Sequence, residues 1–273
     1  MSFGRKEDMF LKDTNYLAKK YKMKKEIFEK ITSKQEFSQL PKKDVEMAYS
    51  HFEKRQVSDE EKVRLTRGLL HKVFGAFGSR KLLSLKDKDP EWILRKHLST
   101  RERIPSYKKV YERLLNEDGT TVFDLGAGIN GFSHNFFPVK VDYIAIEAVG
   151  QWVKLMNYYF KTRRIEAWAI HESLFETEKI KKYLKQVKGK KIVFLFKTLD
   201  SLEMLERNYS KELLLSIAPL VEKVVVSFAT ESMVSRKKFG AKRSWITNFI
   251  EENFKILDDF AIGGERYIVF CKK

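Results

Sequence analysis

The residues best placed to do chemistry gather in Thr121-Val-Phe-Asp-Leu-Gly-Ala-Gly-Ile-Asn-Gly-Phe-Ser133, an apolar run that turns abruptly into glycines. Gly126, Gly128 and Gly131 have the spacing G-x-G-x-x-G, in which missing β-carbons let a tight backbone turn approach a bound nucleoside. A dinucleotide enzyme seats a pyrophosphate on such a turn. Here Asp124 stands two residues before the first glycine and would repel that anion. A cofactor carrying an ammonium and a sulfonium suits the same acid, so the local charge favours S-adenosylmethionine (SAM) over NAD.

Further candidates follow the other predicted strands, because open α/β sheets bind ligands beyond the carboxyl ends of their strands. Glu147, at the end of the second, can accept hydrogen bonds from ribose hydroxyls, with Ala148 beside it. His171 and Glu172, after the third, either help to fix an adenine or form a plain surface loop. The fourth ends in Phe196-Lys-Thr-Leu-Asp200, which puts Lys197 beside the expected reaction centre. This run departs from the Asn/Asp-Pro-Pro-aromatic tetrad of many amino-group methyltransferases.

The elements that must position these groups fall into two parts. Residues 1–105 read as helical. Lys19 to Lys25 precede Ile27, Phe28 and Ile31 in a basic amphipathic pattern. Ser58 and Glu61 open a helix carrying Val63, Leu70, Val73, Phe74 and Phe77 toward Gly78. Asp89-Pro-Glu91 opens another. From 106 to 273 strands alternate with helices. Ser106 is expected to cap a helix from Tyr107 to Leu115, and one long helix is expected from Ser201 to Ala218. The last two strands, Phe254 to Ile262 and Arg266 to Cys271, flank Gly263-Gly-Glu265 as a hairpin. The expected fold is therefore α/β: a class I SAM-dependent methyltransferase sheet with a C-terminal β-hairpin, preceded by an α-helical N-terminal domain.

Composition narrows the partners. A 43% hydrophobic share supports a folded core, and a formal charge of +17 calls for a polyanion, most simply RNA. Lys24, Lys25, Arg64 and Arg67 are the RNA-binding candidates of the helical part, although a solvated basic face accounts for the same pattern. The lone Cys271 excludes a cysteine metal cluster, so no metal is expected. No apolar run is long enough to span a bilayer, so no membrane partner and a cytoplasmic location are expected.

After the fifth strand comes Val225-Val-Ser-Phe-Ala-Thr-Glu-Ser-Met-Val-Ser-Arg236, then Lys237, Lys238, Phe239 and Gly240. This stretch resembles the Val-Val-Ser-Phe-Pro-Thr…Ser-Leu-Gly-Gly-Arg pattern of the Arm/Rmt (FmrO-type) 16S ribosomal RNA methyltransferases. Those enzymes confer aminoglycoside resistance by methylating N7 of a guanine in the decoding centre. His97-Leu-Ser-Thr100 with Glu102 and Arg103 is similar to the family's His-x-Ser-Thr-x-Glu-Arg segment, and Asp124-Leu-Gly-Ala-Gly-Ile-Asn130 to its Asp-Leu-Gly-Cys-Gly-x-Asn. Ala229 stands for the proline, Val234-Ser235 for Gly-Gly, and Phe239-Gly240 for Gly-Met.

The resemblance implies a helical RNA-docking domain and SAM as methyl donor. It also implies cofactor contacts from His97, Thr100, Arg103, Asp124, Gly126, Ala127, Gly128 and Asn130. Arg103 would hold the cofactor carboxylate, a buried salt bridge being its other reading. Arg236, Lys237 and Lys238 would meet RNA phosphates, and Phe239 would either stack on a flipped base or plug the end of the sheet. With N7 as nucleophile no general base is required, so Arg236, Phe239 and Lys197 are expected to position the base. The substrate would be rRNA, in the assembled small subunit, and the protein a monomer. Competing readings are a tRNA guanine-N7 methyltransferase, an adenine-N1 rRNA methyltransferase and a noncatalytic SAM-binding assembly factor.

Overall fold

The computed structural model describes residues 23–84, 87–230 and 243–273. Its first part is helical: α1 (Lys25–Thr32), α2 (Lys42–Glu53) and α3 (Asp59–Leu70). Ser58 opens α3 by accepting the Glu61 backbone N–H at 3.2 Å, and the acids Asp59, Glu60 and Glu61 suit the positive end of the helix dipole. Beyond Leu70 the chain passes into a π-helical turn, His71–Gly75, so Val73 and Phe74 leave the regular helix expected for them. Such turns are frequent at functional sites. Gly78 does not end a helix but forms an isolated bridge with His97.

Three short helices lead to the sheet: α4 (Pro90–Leu94), capped by Asp89, α5 (Leu98–Arg103) and α6 (Tyr107–Leu114). Ser106 precedes α6 without capping it. It closes a 3₁₀ turn, Ile104–Ser106, and makes no side-chain cap bond.

Seven strands follow: β1 (Thr120–Leu125), β2 (Val141–Glu147), β3 (Ala167–His171), β4 (Lys191–Phe196), β5 (Lys223–Ala229), β6 (Phe254–Ile262) and β7 (Glu265–Lys272). Their order is β3-β2-β1-β4-β5-β7-β6. β1 to β5 run parallel, and β7 lies antiparallel between β5 and β6. Val122, Phe123, Val193 and Phe194 are fully buried, as the central strands of a sheet covered on both faces must be.

The helices of this half are α7 (Gly150–Arg163), α8 (Thr177–Gln186), α9 (Leu199–Leu205), α10 (Tyr209–Ile217) and α11 (Ser244–Asn253). The single helix expected from Ser201 to Ala218 is broken into α9 and α10. Asn208 turns left-handed there (φ +66°), and Glu203 stabilises the break by accepting from the N–H groups of Asn208 and Ser210 at 2.6 and 2.9 Å.

Polar bonds fasten the helical part to this sheet. Lys43 Nζ donates to the Phe175 carbonyl at 2.6 Å, His51 Nε2 to that of Leu205 at 2.9 Å, and Gln151 Nε2 to that of Gln35 at 2.7 Å. At the other side Arg243 ties α11 to the sheet, bonding the Ala229 carbonyl (2.8 Å) and pairing with Asp200 (2.9 Å).

Candidate active site

The strand order reverses between β1 and β4, and a cleft opens there, beyond the carboxyl ends of β1, β2 and β4. That is the place expected of a cofactor site. Its floor is the turn after β1. Gly126 (φ +71°) and Gly128 (φ +58°) take left-handed conformations costly to other residues, and β-carbons there would press on Thr198 (2.7 Å) and His97 (3.0 Å). The Glu147 carboxylate holds the turn from the end of β2, accepting the Gly128 N–H at 2.7 Å and the Val149 N–H at 2.8 Å. Burial pushes its pKa up to about 7.

Asp124 is buried in the cleft wall, and its Oδ2 accepts from the Tyr143 hydroxyl (2.6 Å) and the Asn130 amide (2.7 Å). Burial raises its pKa despite these bonds. Asn130 joins this acid to Arg103, since its Oδ1 accepts from Tyr107 at 2.7 Å and from Arg103 Nη1 at 3.3 Å.

Arg103 belongs to a second cluster, at the end of β4. Its Nη2 donates to Glu265 Oε1 at 2.8 Å, and its guanidinium lies 4.7 Å from the centre of the Phe196 ring. Lys197 Nζ pairs with Glu102 at 2.8 Å and with the other Glu265 oxygen at 3.3 Å. Ser227 Oγ donates to the same carboxylate. Burial alone would raise the Glu265 carboxyl, but Arg103 and Lys197 outweigh it and hold it below its ordinary value. Lys197 is left-handed at φ +56°, a conformation that costs a side-chain residue about 1 to 3 kcal/mol and so marks a site under constraint.

Three polar atoms of the cleft wall lack a hydrogen-bond partner among the described residues: His97 Nδ1, Trp152 Nε1 and Asp44 Oδ2. The His97 ring stands edge-on to Trp152, 5.1 Å between centres. Burial, then the charges of Arg103 and Lys197, push the imidazole pKa down to about 3, so it is neutral. Unsatisfied groups concentrated in one cleft are what a wall built around a polar ligand leaves behind.

Residues 87–251, more than half of the chain, match the model of a family described as ribosomal RNA methyltransferase (FmrO). The chain belongs to this family. Solved structures with the same fold include the 16S rRNA methyltransferase RmtF in complex with S-adenosyl-L-homocysteine (19% identity, 92% of this chain and 100% of that one, TM-score 0.73). The 16S rRNA methylase RmtB is also similar (19%, 93% and 100%, 0.70), as is an rRNA methylase from Escherichia coli (18%, 90% and 100%, 0.70). No curated protein sequence matches the chain.

In this FmrO-family chain the cleft gathers His97, Thr100, Arg103, Asp124, Gly126, Ala127, Gly128, Asn130, Glu147, Ala148 and Lys197. It does not gather His171 or Glu172. His171 Nε2 bonds the Ala148 carbonyl at 2.9 Å, and Glu172 is engaged by its neighbour's N–H, by Lys179 and by Tyr183. The candidates of the helical part also have partners: Lys25 pairs with Glu29 (3.8 Å) and Arg64 with Glu61 (2.5 Å). Arg67 bonds the Lys30 and Ile31 carbonyls and Ser33, closing the end of α1. Lys24 precedes α1 as its N-cap. Arg236, Lys237, Lys238 and Phe239 lie outside the described residues.

Sequence reasoning missed Glu265 as a site residue, together with Asp44 and Trp152. For Glu265 a signal exists in the Gly-Gly turn immediately before it, which swings β7 back against β5. Asp44 and Trp152 lie on helices whose pattern gives no hint of the cleft. Among the described residues no helix is long and apolar enough to cross a membrane.

Proposed function

We propose that the protein transfers a methyl group from SAM to N7 of a guanine in the decoding region of small-subunit (16S) rRNA, acting in the cytoplasm as a monomer on the assembled subunit. Residues of the cleft fit the cofactor: a turn that lacks β-carbons at Gly126 and Gly128 and admits a nucleoside, an acid for ribose hydroxyls in Glu147, and unpartnered polar atoms on His97, Trp152 and Asp44. Four of the five N–H groups of Arg103 are engaged, which leaves one on Nη1 and the charge itself for the methionine carboxylate. SAM supplies a methyl group on a sulfonium, open to in-line attack by a lone pair.

The observation that carries the N7 reading is the state of the ionisable groups after β4. Arg103, Lys197, Glu102 and Glu265 are joined in ion pairs, and Glu265 is held ionised by two cations. Glu265, held below its ordinary value by these cations, is not poised to take up a proton near neutrality, as a general base should be. Guanine N7 carries an unprotonated lone pair and asks for none. The protein then has to present the base in line, exclude water and grip the flanking phosphates, tasks given to Lys197, Phe239, Arg236, Lys237 and Lys238. The helical part, with Lys24, Lys25 and Arg64, is the docking surface for RNA.

The test is incubation with labelled SAM and, separately, assembled small subunits, naked rRNA and tRNA, followed by borohydride and aniline cleavage and primer extension. A stop at one guanine of the decoding region is expected, on subunits. Methyl groups on adenine N1, a cytosine or a ribose, or a stop confined to tRNA, would overturn the assignment. Phe239→Ala should lower turnover about tenfold or more if the ring stacks on the base.

A further inference from the structure

Asp44 lies in the first turn of α2, 1% exposed, in the wall of the cleft. An acid at that point of a helix ordinarily reaches back to the backbone N–H of the N-cap. The N-cap here is Pro41, which has none. Ser173 and the residue's own backbone N–H hydrogen-bond the carboxyl, and Oδ2 has no partner among the described residues. Nor is the position accidental to a loose helix end, for the adjacent Lys43 pins the same turn to the segment after β3, through the Phe175 carbonyl (2.6 Å) and Glu176 (3.5 Å).

The charges that Asp44 feels most are Glu147 and Glu172, which sets it on the Glu147 side of the cleft. Both Glu147 oxygens already accept backbone N–H groups, and Glu172 is turned away to Lys179 and Tyr183. Val73, Phe74, Leu174 and Phe175 supply apolar wall to the same cleft. Apolar surfaces with a buried carboxyl, which accepts when ionised, describe a slot for a flat heteroaromatic ring that carries an N–H donor on its edge.

Resting on the SAM reading above, we infer that Asp44, a residue of the helical part, reads the adenine of the cofactor by accepting a hydrogen bond from its 6-amino group. Burial brings the carboxyl up to about 7, so a donor supplied by the ligand would favour the ionised form. Hypoxanthine presents a carbonyl where adenine presents the amine. At about pH 9, where the carboxyl is ionised, two acceptors would then face each other, and the site should reject it.

The test is calorimetric titration, at about pH 9 so that the carboxyl is ionised, of the full chain and its Asp44→Asn variant with S-adenosylhomocysteine and with S-inosylhomocysteine. The wild type should prefer the adenosyl compound about 10- to 100-fold, the range for a missing hydrogen bond to a buried charge. In Asp44→Asn, whose amide can donate as well as accept, the preference should shrink to about threefold or less. An unchanged or raised melting temperature assigns that change to the contact rather than to unfolding. Equal affinities in the wild type overturn the inference without recourse to any variant. A preference that survives in Asp44→Asn overturns it too, and a uniform loss for both compounds would move the contact to the ribose. If the wild type binds neither compound, the cofactor reading falls and this inference with it.

Discussion

Arg103 and Glu265, 162 residues apart in the chain, meet at 2.8 Å with side chains only 2% and 3% exposed. Removing one partner of a buried pair leaves the other charge uncompensated, at a cost of about 3 to 5 kcal/mol. Glu265 answers two cations, so Glu265→Gln should destabilise the protein by about that amount, read as a lower urea midpoint. Its depressed pKa means that its share of stability is present above the unfolded value near 4.5 and is lost as pH falls through the lower folded value. Glu265→Gln should therefore flatten the acid limb of the melting curve.

Gly126→Val should abolish S-adenosylhomocysteine binding. A β-carbon at that position meets Thr198 Cγ2 at 2.7 Å, and φ of +71° is closed to a β-branched residue. Calorimetry checks the loss, and retained helical circular dichroism separates it from global unfolding.

Glu147 predicts a pH dependence of opposite sign to that of Glu265. Its carboxyl titrates near 7, raised by burial, so in the free protein it opposes folding increasingly as pH rises from its unfolded value to about 7. Ribose hydroxyls donate best to the ionised form. Through Glu147 alone, affinity for S-adenosylhomocysteine should thus rise up to about tenfold from pH 6 to pH 8, the limit for one linked proton with that pKa. Glu147→Gln should remove that share of the slope in calorimetry across the interval, leaving the share of Asp44.

RNA affinity should depend steeply on salt. Charge reversal at Lys24, Lys25 and Arg64 is expected to lower the log-log slope by roughly 0.7 to 0.9 for each phosphate that is no longer neutralised. Arg67 behaves differently, because its guanidinium closes the end of α1. Arg67→Ala should cost about 1 to 3 kcal/mol of stability from bonds to a charged group. Filter binding at several salt concentrations, beside melting curves, tells the two roles apart.

How much of this was legible in the sequence depends on the range of the forces involved. The glycine turn after β1 and the Gly-Gly hairpin are local, set by backbone sterics, and the strand and helix alternation carried the fold. The break between α9 and α10 is hidden because apolar spacing runs on across it, while Glu203 and the left-handed Asn208 act over a few residues without a turn motif. His171 and Glu172 looked functional through their place after a strand. Which way a side chain turns there is decided by Ala148, Lys179 and Tyr183, and strand position alone does not encode it. Asp44 and Glu265 owe their roles to partners distant in the chain.

The bonds that fasten helix to sheet through Lys43, His51 and Gln151 also bear on how such a protein can be altered by exchange of parts. A chain severed at residue 105 would shed Asp44, Phe74, Phe77, His97, Thr100 and Arg103 from the cleft wall. On the docking role proposed for the helical part, target choice and cofactor grip are thus inherited as one piece. A graft that borrows the front of a relative to redirect the enzyme must carry over matching residues on the sheet side, or it delivers the new substrate to a site that can no longer hold its donor.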